Sequence, residues 1–421
     1  MSVSALRVVI SGSVVGRLVR NRRGATSWEP DDEWVRGGQH PRLSYSTLVD
    51  PSRRVAGTGL PAWFENLLPE QESALRFRLA KLHAVRETDS LGLLRALGPD
   101  LPGAVELAAD DAWRREDERG EVGAEVDRTM VREERRPFQF SLAGMQLKLS
   151  MSARGVRLAL TAKSSDRHWI VKLAGRDFAE LPEVEAATMA WAGASGIVVP
   201  ANMVVSTADL EGLPEGWSEG SGTAYAIKRF DRRENGTRVH HEDFCQALDV
   251  LPQHKYGDTG SRRVGHDGML ALVANAAGDT GAEELARRVG FVIASGNSDA
   301  HLKNWSFEWG AAERPAMSPA YDLVSTIAWR GPHGWGLPGG ARLALSLGRV
   351  KRFTLLDDAA LRRHADKAGL SWARDAIMEG IKRARDAWPS VAPQAPARMR
   401  EALVEHWSRV PVLRGAGALP D

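Results

Sequence analysis

The segment Gly296-Asn297-Ser298-Asp299-Ala300-His301-Leu302-Lys303-Asn304, followed by Pro319-Ala320-Tyr321-Asp322-Leu323, constrains this chain of 421 residues more than any other stretch. An Asp and an Asn five positions apart, then a second Asp beyond a hairpin-length interval, is how a kinase-type site lays out a base and its metal ligands. Phosphoryl transfer needs a carboxylate to orient the attacking hydroxyl. It also needs oxygen ligands for Mg²⁺, which accepts carboxylate and amide oxygens in octahedral geometry. Asp299 is the candidate base, and Asn304 and Asp322 are the candidate metal ligands. Asp and Asn also serve as turn and cap residues. The flanks favour chemistry: apolar Phe291-Val292-Ile293-Ala294 runs straight into Gly296, and Trp305-Ser306-Phe307-Glu308-Trp309 alternates as a strand does.

Length allows two to three domains with sizeable cores. Hydrophobic content of 43% and charged content of 26% are ordinary for a soluble globular chain, and a net charge of +2 gives no polyanion-coating surface. The single cysteine, Cys245, excludes an intramolecular disulfide and a cysteine-based zinc site, and fits a reducing compartment. No apolar run approaches the roughly 18 residues of a membrane helix, and the first residues lack a signal-peptide layout. A cytoplasmic protein with no membrane partner is expected.

Leu6 to Val19 alternate around Ser11-Gly12-Ser13, which predicts a β-hairpin. Trp63 to Leu97 is helical in pattern, with Leu67, Leu68, Leu75, Leu79 and Leu82 near helical spacing. A charge-dense stretch over 109–136 reads as a linker or exposed segment. Strands are predicted at Gln146–Met151, His168–Leu173, Val198-Val199 and Tyr225–Phe230, and a helix from Pro182 to about Gly196. Beyond Glu242 the chain is expected to be helical, apart from the catalytic hairpin and a Gly-rich loop over 331–340. The expected division is 1–108, the linker, 137–235 and 236–421. Strands first and helices later, with the polar cluster where they meet, predict a small mixed lobe over a helical lobe.

Lys172 closes an alternating strand, and the acidic start of a helix follows it. A strand lysine held by a helix carboxylate is how a kinase brings a point charge to nucleotide phosphates, with Glu185 the better partner and Glu183 the alternative. Phe140-Ser141-Leu142-Ala143-Gly144-Met145-Gln146 holds a small-residue turn whose N–H groups suit phosphate, and a phosphate on Ser141 would reshape it. His240, His241, His254 and His266 match no common metal spacing and are expected as solvated or capping residues. The short basic runs Arg20–Arg23 and Lys382–Arg385 are expected as solvated surface, with DNA contact as part of a complex the alternative.

Taken together, these pieces resemble the HipA family of serine/threonine kinases, the toxin halves of bacterial toxin–antitoxin pairs. Phe140–Lys148 is similar to the family's phosphate loop, Trp169–Lys172 to its lysine strand, and Ile227-Lys228-Arg229-Phe230-Asp231-Arg232 to its hinge strand. His241-Glu242-Asp243-Phe244-Cys245-Gln246-Ala247-Leu248 and Gly296–Asn304 are family signatures, and Trp63–Glu70 is similar to the N-terminal subdomain. The chain departs from the family at Met145, Leu147 and Ala300. The resemblance implies an α+β, two-lobed protein-kinase-like fold: a small β-rich lobe with an extra N-terminal subdomain, over a mainly helical lobe. It implies ATP and Mg²⁺ as cofactors, with Asp299 as base and Asn304 and Asp322 on the metal. Lys172, Glu185, Ala143, Gly144, Gln146, Lys228, Phe230, His301 and Lys303 form the implied cofactor-binding set. Ser141 is the implied autophosphorylation site that silences the enzyme. The implied partners are a HipB-like helix-turn-helix antitoxin, operator DNA through that complex, and a protein substrate, an aminoacyl-tRNA synthetase, whose loss arrests growth and gives persistence. The competing readings are a catalytically silent corepressor and a small-molecule phosphotransferase.

Overall fold

The computed structural model describes residues 4–38, 40–50, 52, 54–110, 147–154, 157–159, 168–173, 175, 178, 180–212, 222–260, 263–310, 313–329 and 341–420. Ser141, Ala143, Gly144 and Gln146, the linker beyond Asp110 and the 331–340 loop lie outside them. The chain forms two compact units, Met1–Met145 with Cys245–Pro252, and Gln146–Phe244 with Gln253–Asp421.

In the first unit β1 (Ser4–Ile10), β2 (Ser13–Arg20), β3 (Thr26–Pro30), β4 (Val55–Gly57) and β5 (Val105–Ala109) make an antiparallel sheet in the order β4-β3-β2-β1-β5. The expected hairpin is there: Ser11 and Gly12 both have positive φ, a two-residue turn whose twist matches the strands. Leu6, Val8 and Ile10 alternate into a core shared with Trp28, Trp63 and Phe64. The unit also holds α1 (Asp32–Arg36), α2 (Tyr45–Val49), α3 (Ala62–Glu65), α4 (Ala74–Leu82) and α5 (Ser90–Leu97). The helical pattern over Trp63–Leu97 thus becomes three short helices, because the chain turns through left-handed backbone at Glu72 and Ala84. Buried Arg76 knits them, donating to Glu65 Oε1 (3.0 Å), the Pro69 carbonyl (2.9 Å) and Ser90 Oγ (2.6 Å). Cys245–Pro252 belongs here because Asn66 Nδ2 donates to the Val250 carbonyl (2.8 Å) and Gln246 Nε2 donates to that of Trp63 (3.1 Å).

In the second unit β6 (Leu147–Arg154), β7 (Arg157–Ala159), β8 (Trp169–Leu173), β9 (Asn202–Ser206), β10 (Leu210–Glu211) and β11 (Thr223–Lys228) form a sheet ordered β10-β7-β6-β8-β11-β9. Between β8 and β9 runs α6 (Leu181–Ala194), started by Pro182 in its first turn. Val198-Val199 is not a strand. Pro200 has no N–H to give a ladder, and pairing begins after it, at Asn202.

The helical part follows β12 (His240–Asp243) and α7 (Phe244–Ala247). Its spine is α8 (His266–Ser295), interrupted at Gly278, where the backbone leaves helical geometry. Then come β13 (Ser306–Trp309) and β14 (Ala316–Met317), which join β12 in a three-stranded sheet, and a second hairpin of β15 (Arg342–Leu347) and β16 (Val350–Arg352). That second hairpin is a departure from the helical expectation. The chain closes with α9 (Asp358–Ala368), α10 (Ala373–Ala387), α11 (Ala397–Arg409) and α12 (Pro411–Ala416). α8 and α10 cross at glycines: a Cβ on Gly290 would sit 2.3 Å from the Ile377 carbonyl oxygen, and one on Gly380 would sit 2.1 Å from that of Arg287. Trp191 of α6 packs on Phe291 and Trp388 at 5.1 and 4.8 Å and donates to the Ala384 carbonyl. His240 and His266 correct another expectation, since they are buried rather than solvated.

Candidate active site

Lys172 is the next-to-last residue of β8, paired with Lys148 of β6 and Tyr225 of β11. Strand alternation turns it inward, and it is 3% exposed. Its ammonium bonds both the Glu185 carboxylate on α6 and the Asp322 carboxylate. Burial alone pulls the lysine down, but Asp322 and Glu185 outweigh that and hold it above its ordinary value. The Tyr225 ring lies 5.3 Å from the ammonium, and its hydroxyl is raised well above the phenol range by burial first and then by Glu185 and Asp322. Glu185, not Glu183, is the helix carboxylate brought to Lys172.

The Gly296–Asn304 loop leaves the end of α8 through left-handed backbone at Gly296, where a Cβ would lie 2.5 Å from Ile327 Cδ1. Glycine is needed there both for φ and for space. The Asp299 N–H donates to Asn297 Oδ1 (2.9 Å), and the Ser298 N–H donates to Thr326 Oγ1 (2.7 Å), which itself donates to the Gly296 carbonyl. Asp299 is buried; its Oδ1 accepts from the Tyr256 hydroxyl at 2.9 Å. Asn304 Nδ2 donates to the Asp299 carbonyl (2.9 Å), leaving the amide oxygen to face a ligand. Asn304 and Asp322 line one small cavity together with Asn297, Arg288 and Tyr321. Asp322 stands in left-handed backbone, φ 54°, a conformation an aspartate holds only where its surroundings impose it. Those surroundings are plain: the Tyr321 hydroxyl reaches Ser306 Oγ and the Lys303 carbonyl, and buried Arg288 holds the Ser318 carbonyl (2.8 Å) and Glu284 (2.7 Å).

His301 is buried, and neither ring nitrogen has a hydrogen-bond partner among the described residues. Burial first, then Lys255 and Lys303, hold it well below the usual imidazole value against the pull of Asp322, so the ring is neutral. Lys303 binds Asp243 (3.0 Å). Phe230 stacks on Tyr321 at 5.7 Å and meets His241 at 4.9 Å. Lys228 sits apart, half-exposed and paired with Glu234 (2.8 Å). Next to Phe230, Asp231 takes a two-pronged bond from Arg229 and a further bond from Arg232. Burial alone would raise its carboxyl, but Arg229 and His241 overcome this and hold it well below its usual range.

The structure therefore gathers Lys172, Glu185 and Asp322 in one cluster, and Asp299 with Asn304 in a loop that shares a cavity with Asp322. The sequence reading missed Tyr256, Thr326 and Arg288. A signal for the first was present, since the chain has four tyrosines and Tyr225, Tyr256 and Tyr321 all stand at this site.

A strand lysine held by a helix carboxylate, with an Asp/Asn loop and a second Asp beyond it, in a two-lobed α+β body, defines a protein-kinase-like protein. The chain belongs to the HipA family: the HipA-like C-terminal domain matches over residues 140–388 and the HipA N-terminal domain over residues 6–108. It is 34% identical to the putative kinase Y4dM of Sinorhizobium fredii, over 98% of each chain. It is 28% identical to the serine/threonine-protein kinase toxin HipA of Shewanella oneidensis, over 66% of each. Its fold matches that of a chain in the Shewanella oneidensis HipA, HipB and operator DNA complex, with a TM-score of 0.71 at 23% identity, covering 98% of this chain and 96% of that one.

Proposed function

We propose that this protein is an ATP- and Mg²⁺-dependent serine/threonine-protein kinase, the toxin of a toxin–antitoxin pair. The observation that carries the reading is Lys172 bonded at once to Glu185 and Asp322 inside a buried cluster. Such a lysine is fixed in direction and stays charged, which is what nucleotide phosphates require. Glu185 holds it. Asp299 accepts the proton of a substrate serine, with Tyr256 and the Asn297 turn keeping its carboxylate in place. The residues fit a bound nucleotide and metal: Asn304 and the strained Asp322 line one cavity, and both His301 ring nitrogens are unpartnered among the described residues. When bound, Mg²⁺ neutralises charge on the phosphates. Phe230, Lys228, Lys303, Ala143, Gly144 and Gln146 complete the nucleotide contacts in this reading. Residues 1–108, 137–235 and 236–421 then serve as subdomain, nucleotide-binding part and catalytic part.

The family relationship supports the rest of the proposal. The partner is a HipB-like helix-turn-helix antitoxin, with operator DNA reached through it. The substrate is an aminoacyl-tRNA synthetase phosphorylated in the cytoplasm, which arrests growth and promotes persistence. Phosphate on Ser141 silences the kinase. No described helix is long and apolar enough to cross a membrane. Purified chain with Mg²⁺-ATP should label a synthetase panel or itself, and Asp299→Gln should abolish labelling while leaving the fold intact by circular dichroism. Equal labelling by Asp299→Gln, or none by the native chain, would sink the proposal.

A further inference from the structure

The hairpin of β15 and β16 carries charge that the site chemistry leaves unused. Arg342 and Arg352 are direct cross-strand partners, an arrangement of like charges that weakens a hairpin unless an anion sits between them. Lys351 reaches the Ala344 carbonyl (3.0 Å) and lies 3.5 Å from that of Tyr256. Arg263 is exposed on the loop that follows Tyr256, bridged to Asp258 through the backbone; the start of α8, just after that loop, is joined to β15 where His266 Nδ1 meets the Ser346 carbonyl. Among the described residues none of Arg263, Arg342, Lys351 and Arg352 forms a salt bridge, and Arg342 Nε, shielded from solvent, has no acceptor there. Asp258 is the acid beside them. Burial first, then Arg263 and Arg342, lower the Lys351 ammonium against Asp258, as expected where cations crowd.

Tyr256 joins this surface to the base: its carbonyl faces Lys351 and its hydroxyl binds Asp299. We propose that Arg263, Arg342 and Arg352 form a docking surface for acidic side chains of the protein substrate, on the hairpin that Lys351 and Tyr256 tie to the base. The inference rests on the kinase reading above and supplies the specificity that reading lacks. A nucleic acid is the poorer fit. Three or four cations are fewer than the roughly 6–10 phosphate contacts that a basic track makes. The hairpin itself carries no aromatic residue, and Phe353 just after it is buried, so there is no stacking face.

The test uses the full chain, Mg²⁺-ATP and two short serine peptides, flanked by Glu or by Gln. Binding is read by fluorescence anisotropy without ATP, and phosphorylation separately. The Glu peptide should have a KM about tenfold lower than the Gln peptide. Arg263→Glu with Arg352→Glu should erase that preference while leaving the KM for ATP and the melting temperature unchanged. Phosphorylation with no charge preference, failure of the Glu peptide to bind, or displacement of that peptide by a tighter-binding single-stranded oligonucleotide would each overturn the docking surface. Peptide bound in a charge-dependent way yet never phosphorylated would leave the surface standing and overturn the kinase reading instead.

Discussion

Lys172 holds two carboxylates apart. Removing it leaves the buried Glu185 carboxylate beside Asp322 without the ammonium that both of them bind. Breaking a buried ion pair by deleting one partner costs about 3–5 kcal/mol. Lys172→Met should therefore lower the thermal midpoint as well as abolish phosphotransfer, and adding Glu185→Gln should recover part of the stability. Strictly additive losses in that double-mutant cycle would show that the pair does not interact as drawn. In the proposed reaction Tyr256 acts through Asp299, whose Oδ1 it holds, rather than on substrate. Tyr256→Phe should lower kcat about tenfold and leave the KM for ATP unchanged, the pattern of a lost positioning contact; a change in KM alone would refute it.

At the scale of elements, the Gly296–Asn304 loop and the end of α8 that leads into it are held from three directions. Thr326 takes the Ser298 N–H, Ser325 Oγ donates to the Ser295 carbonyl, and Trp407 of α11 donates to that of Ala294 (3.0 Å). Gly296→Ala adds left-handed strain and an Ile327 clash, and should destabilise the fold by roughly 2–4 kcal/mol. Adding Ile327→Ala should return the steric share, read as a partial recovery of the denaturation midpoint. No recovery would locate the cost in φ alone. The Asp, Asn and Lys of this site were legible because their residue types and spacing are dictated by chemistry. The strands β6, β8 and β11 were legible because alternation marks a half-buried surface. Thr326 and Arg288 were not, because each acts through side-chain bonds to a segment about thirty residues away, which leaves no periodic trace. The β15–β16 hairpin escaped for a different reason: Leu343-Ala344-Leu345 is a short apolar run that suits a buried helix or strand equally.

For the molecule as a whole, two buried imidazoles set an acid limit. His266 is pushed down to about 4 by burial and by His364, and His364 to about 4 by burial and Lys367 against Asp267. Between there and the ordinary 6.5 the unfolded chain binds more protons than the folded one. Their contribution is thus complete above pH 6.5 and is lost as pH falls toward 4, on the order of 3 kcal/mol for each imidazole alone. Denaturant titrations across that interval should show falling stability, and a flatter slope in His364→Asn. An equal slope in that variant would exclude His364 as the source.

The placement of Cys245–Pro252 in the first unit has a consequence for how the chain is made. During synthesis β1–β5 and α3 leave the ribosome early, yet the Val250 carbonyl that Asn66 holds, and the Gln246 amide that meets Trp63, are translated only after β6–β12. The first unit stays unfinished until the lysine strand and hinge strand already exist. A ribosome that stalls, or a nuclease that cuts the message, before Cys245 therefore releases a product with neither a catalytic loop nor a finished first unit, a substrate for proteases rather than a partial toxin.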